Sequence, residues 1–150
     1  LKSKGFKYGS IEKYTQWSSE MKKKHGINIL PDEYRTSILI FDSWKEGYAN
    51  GAMEIKNLEQ MLAKEQVAIP NYIDFCEYSR ELSAMKKHDK AIALLLFADE
   101  KIQHMGQLYA FLGDAYRAKG ELNLAKQNYL KCLETYPEYP GAIEGLTKLK

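Results

Sequence analysis

The chain has no apolar run near the ~20 residues that a membrane-spanning helix requires. The longest, AIALLLFA at 91–98, suits a buried helix or strand. Cysteine is almost absent. Cys76 and Cys132 stand 56 positions apart with no CxxC spacing, which excludes a disulfide scaffold and a metal framework and leaves two buried free thiols. There is no glycine-rich phosphate loop. A GxSxG nucleophile elbow is also missing, because GFKYGS at 5–10 has its glycines and serine in the wrong order. Apolar residues alternate at period two only briefly, so strand signals are weak. The opening residue is Leu1 and not Met, which leads us to expect a chain cut from a longer one or processed.

What is present is a soluble globular composition, 45% hydrophobic and 28% charged, long enough at 150 residues for one domain with a core. The net charge of +2 is uneven: residues 1–25 hold seven Lys and two Glu, so the remainder is acidic on balance. Tyr8, Tyr14 and Trp17 lie among those lysines, a pattern that can bind single-stranded nucleic acid. Yet Tyr14, Trp17 and Met21 share one helical face, which is a core pattern, and Arg is absent there. Neither a nucleic-acid nor a membrane partner is expected.

The histidines do not gather into a site. His25 follows three lysines and precedes Gly26, as at a helix C-terminus, and His88 and His104 fall in inter-helix turns. Glu100 and His104 are one helical turn apart but lack further ligands. Asp32 and Glu33, like Asp99 and Glu100, are adjacent, and adjacent helix positions face apart. No catalytic constellation, metal site or cofactor is expected.

Helical spacing runs through the chain. Ser10 can cap a helix over IEKYTQWSSEMKKKHG, and INILPDEY reads as a short extended piece. A longer, less regular pair follows to about residue 65, with Gly51 near its break. Asn71 is a good N-cap with Asp74 three residues on, and that helix runs to about Met85. Leu108, Leu112 and Ala115 or Tyr116 mark the next helix. Leu122, Ala125, Tyr129, Leu130, Leu133 and Tyr136 mark another, stopped by Pro137. Only Lys119-Gly120-Glu121 separates these two, so they run antiparallel.

A shift of 34 residues aligns 72–105 with 106–139 without a gap. Small residues meet small ones, Ser79 on Gly113 and Ala91 on Ala125, and Leu95 falls on Tyr129. Residues 106–139 carry Tyr109, Leu112, Gly113, Tyr116, Gly120, Ala125, Tyr129 and Pro137, a pattern that resembles a tetratricopeptide repeat. Residues 72–105 match less well, and 38–71 keep Phe41, Trp44 and Tyr48 but have Asn57 where Ala belongs. The expected fold is all-α: a short right-handed stack of antiparallel helix pairs, about seven to eight helices in one domain. Its parts are a basic leader and first helix at 1–30, a degenerate pair at 31–71, repeats at 72–105 and 106–139, and a capping helix at 140–150. Gly113 and Ala125 let two helices meet closely, and Gly120 supplies a turn with positive φ.

The resemblance implies a protein or peptide partner bound in a concave groove lined by the first helix of each pair. Its positions here are Ile73, Cys76, Arg80, Ser83 and Ala84, then Gln107, Ala110, Asp114, Arg117 and Ala118. Cys76 and Ala110 stand where carboxylate-clamp relatives have Lys, so a carboxylate clamp is not implied. Arg80, Asp114 and Arg117 suit a mixed-charge segment or pair with one another. The order of elements also resembles the C-terminal region that follows the catalytic domain in some bacterial esterases of the α/β-hydrolase type. That resemblance implies a parent serine hydrolase, whose missing catalytic domain would itself be the partner, and an extracytoplasmic location; the alternative expectation is a free-standing adaptor in the cytoplasm that binds a peptide or protein in its groove. Self-association through an exposed apolar end of the stack is a further expectation.

Overall fold

The computed structural model describes residues 31–102 and 105–149, together with Lys23. The helix expected at 10–26, His25, Gly26, Gln103 and His104 lie outside the described residues, apart from Lys23, which is helical and exposed. Seven helices are present among the described residues: α1 (Pro31–Asn50), α2 (Ile55–Lys64), α3 (Tyr72–Ala84), α4 (His88–Lys101), α5 (Gly106–Lys119), α6 (Leu122–Thr135) and α7 (Pro140–Lys148). There is no strand among them, and the fold is all-α.

Two readings of local structure change. Pro31 to Tyr34 are helical, where an extended piece was expected. Proline at the first position of a helix loses no hydrogen bond, because that N–H has no partner within the helix anyway. His88 is the first residue of α4 and does not lie in the turn before it.

The ends of the helices follow from their residues. The Ile73 N–H donates to Asn71 Oδ1 at 2.7 Å, and the Asn71 N–H donates to Asp74 Oδ2 at 3.2 Å, so the start of α3 is capped reciprocally. One turn closes α2, α3 and α5 alike. A residue in the left-handed region, Gln66 (φ 55°), Lys86 (φ 65°) or Gly120 (φ 93°), follows the last turn. The next N–H then reaches back five residues: Val67 to the Leu62 carbonyl at 3.2 Å, Lys87 to Leu82 at 2.8 Å and Glu121 to Tyr116 at 2.9 Å. Only Gly120 adopts that conformation without crowding from a Cβ.

The chain divides into two compact units between Pro70 and Asn71. In the first, α1 packs on α2. Trp44 is fully buried, its ring 4.5 Å from that of Tyr48 and 5.8 Å from that of Phe41, and its Nε1–H donates to the Glu54 carbonyl at 2.9 Å. The position that holds Gly113 in residues 106–139 holds Lys45 here, whose ammonium sits 3.0 Å from Asp42 and 5.0 Å from the Phe41 ring centre. Asn57 does not replace the small residue of the second helix. Its Oδ1 accepts from the Glu54 N–H at 2.7 Å, at the helix start. Ala91 and Ala125 are the fourth residues of α4 and α6, whereas the fourth residue of α2 is Leu58, buried like Leu62 one turn on. The second helix of this pair is therefore offset by one residue from the 34-residue register.

In the second unit α3 packs on α4 and α5, α4 on α5, α5 on α6 and α7, and α6 on α7. Each helix thus meets its pair-mate, and successive first helices α3, α5 and α7 meet one another. The aligned residues share one core: Phe75 and Tyr109, Tyr78 and Leu112, Ser79 and Gly113, Ala91 and Ala125, Leu95 and Tyr129, Ala98 and Cys132 are all buried. Volume is exchanged within it. Where Ser79 is paired in the pattern with Leu95, Gly113 is paired with the larger Tyr129. A Cβ at Gly113 would come within 2.5 Å of Tyr129 Cε1, and a Cβ at Gly145 of α7 would fall on the same ring. Tyr129 is thus held between α5 and α7, both of which give up a side chain to admit it.

Candidate partner-binding face

The first helices of the second unit carry the candidate site. Ile73 is 42% exposed, and Arg80, Ala84, Asp114 and Ala118 are exposed as well. Ser83, Gln107 and Arg117 are half-buried. Cys76 and Ala110 are buried, so two of the ten expected positions are closed to any partner. Both are small residues on helices that pack directly on one another.

The charged members are held in place. The Arg80 guanidinium lies 5.3 Å from the centre of the Phe111 ring, from α3 to α5. The Tyr129 hydroxyl donates to Asp114 Oδ1 at 2.5 Å and accepts from Arg117 Nε at 3.0 Å, while Arg117 Nη2 stands 3.4 Å from Asp114 Oδ1. Asp114 and Arg117 are therefore fixed by a ring that enters from α6 and ends at the surface of α5. Their side chains remain 51% and 31% exposed, so their charges still face solvent.

Tyr109, another aromatic of the repeat pattern, is bound similarly. Its hydroxyl donates to Asp99 Oδ1 at 2.7 Å, and Lys131 Nζ lies 4.4 Å from its ring centre. Burial, with the carboxylate beside each hydroxyl, pushes both Tyr109 and Tyr129 up to about 12. An unfolded tyrosine titrates near 10, so between about pH 10 and 12 the folded chain binds more protons than the unfolded one. Stability is therefore complete below about pH 10 and falls as pH rises to 12. In Tyr129→Phe, the alkaline limb of a stability-versus-pH curve should flatten. At neutral pH the same variant should lose about 1 kcal/mol for its hydrogen bonds. An alkaline limb identical to wild type would contradict the assignment.

Burial also pushes the Cys76 thiol up to about 12 and raises that of Cys132. Both are free and buried, and a thiol held protonated is a poor nucleophile. Among the described residues no group of three or more His, Cys, Asp or Glu could hold a metal ion. No described helix is long and apolar enough to cross a membrane.

Sequence reasoning missed the role of Tyr129. The pattern reads it as a core aromatic, and only its hydroxyl, opposite Asp114 and Arg117, carries the connection to the surface. Near the end of α5, Asp114 and Arg117 at i and i+3 gave the signal that was available.

The arrangement defines a class: helix pairs stacked through small residues, with an exposed face of ordered charges. Residues 106–139 match the family of the tetratricopeptide repeat. No curated protein and no solved structure matches the chain. Residues 106–139 are thus a helical repeat of the tetratricopeptide kind, within an all-α stack, and such repeats generally mediate protein–protein interaction.

Proposed function

We propose that the surface of α3 and α5 binds a protein or peptide segment carrying charges of both signs, and that the chain acts as a non-catalytic interaction domain. The observation that supports this most is the ordering of Arg80, Asp114 and Arg117 by Phe111 and Tyr129 while their charges stay exposed. Side chains held before binding lose less entropy when a ligand arrives. Two settings are compatible with this reading: a free-standing adaptor, or an appendage of a larger protein such as the α/β-hydrolase esterase that the element order resembles. The esterase parent rests on that resemblance alone.

Ala84 and Ala118 are exposed positions on the same helices, which allows the face to be blocked without touching the core. A random-peptide library selected on the wild-type chain should enrich sequences with both acidic and basic residues. The Ala84→Trp, Ala118→Trp variant, with an unchanged melting midpoint, should lose that enrichment. Equal enrichment on both proteins would overturn the placement of the site.

A further inference from the structure

The spacing of α6 puts Leu122 and Leu130 with Ala125 and Tyr129 on one apolar face, but the structure divides that set. Ala125 and Tyr129 are fully buried, whereas Leu122 is 50% and Leu130 47% exposed. On either side of Leu130, Lys126 lies one turn before and Glu134 one turn after, about 6 Å away along the axis. Both are exposed. Among the described residues, neither takes part in an ion pair within the chain.

Lys, Leu and Glu at i, i+4 and i+8 form a strip that complements its own copy. If two α6 helices meet antiparallel with Leu130 against Leu130, Lys126 of each lies opposite Glu134 of the other, so both charges are matched at once. A parallel meeting would set Lys on Lys and Glu on Glu. The antiparallel arrangement also opposes the two helix dipoles. We propose that a second copy of this chain docks on the exposed strip of α6, antiparallel, about a two-fold axis through Leu130. Two half-exposed leucines a side bury far less than the roughly 800 Å² per partner of a standard stable interface. The pairing is therefore weak and forms at high protein concentration. None of its residues belongs to the face proposed for the partner, so either can fail without the other.

The test is sedimentation equilibrium on the full chain from low micromolar to millimolar concentration, with circular dichroism to confirm that each variant is folded. Wild type should rise toward the mass of a dimer. Leu130→Asp should stay monomeric. Lys126→Glu and Glu134→Lys should each weaken the pairing at least tenfold alone. Mixed in equal amounts they should associate with one another, because each then supplies the charges that the other lacks. A monomer across the whole range would overturn the proposal. So would an association that charge reversal and remixing leave unchanged.

Discussion

Gly113→Leu should destabilise the second unit by about 3 kcal/mol, near the upper end of what overpacking a core costs. A Cβ alone at this position would stand 2.5 Å from Tyr129 Cε1. The ring is confined on the α7 side too, because Gly145 lies against the same ring, nearest its Cζ and Cε1. Relief therefore requires α5 and α6 to separate, or the ring to leave its place and strand its hydroxyl partners. The measurement is urea unfolding of the wild type, Gly113→Leu, Tyr129→Leu and the double variant. The contact predicts non-additivity: the double variant should be clearly more stable than the sum of the two single losses implies. Additive losses, or an unchanged midpoint in Gly113→Leu, would show that the two residues do not share one space.

Trp44→Ala should cost the first unit about 3–5 kcal/mol, the range for removing a buried aromatic from a core. Trp44 is fully buried, stacked on Tyr48 at 4.5 Å, and its indole N–H satisfies the Glu54 carbonyl just before α2. Removing it leaves a cavity in α1 and also releases the turn that sets the start of α2. Trp44→Phe keeps one aromatic ring but loses the hydrogen bond and the buried volume of the second ring, so it should cost about 2 kcal/mol, less than the alanine variant. Both are read from thermal unfolding followed at 222 nm in the far-ultraviolet, where helix loss dominates. Equal stability of the alanine variant and the wild type would remove the case for this ring as the centre of that unit.

Much of the second unit is legible in the sequence because its signals are local. Asn71 with Asp74 marks the start of α3, Gly120 the reversal after α5, and Pro137 the stop after α6, and each acts through the backbone of its own segment. The 34-residue alignment locates the core because burial repeats with it. What stays hidden depends on distance through space. The exposure of Leu122 and Leu130 is set by which helices surround α6, and their spacing cannot distinguish a face covered by a neighbour from one left open. The closing of Cys76 and Ala110 follows from α3 packing on α5. The link from Tyr129 to Asp114 and Arg117 needs the depth at which a ring sits between helices. The first unit is harder to read because Trp44, Tyr48 and Phe41 replace the small-residue contact and α2 starts one residue late, so the pattern loses register at Asn57.

The placement of Tyr129 between Gly113 and Gly145 bears on how α7 moves. A helix of nine residues, on its own, would fray within the native state and exchange its amide hydrogens freely. Here the inner face of α7 lies against a ring that α5 also grips and that belongs to α6, so lifting α7 uncovers the centre of the repeat. The three helices should then open as one cooperative block, and hydrogen exchange should find the amides near Ala142 and Gly145 as slow as those of the repeat.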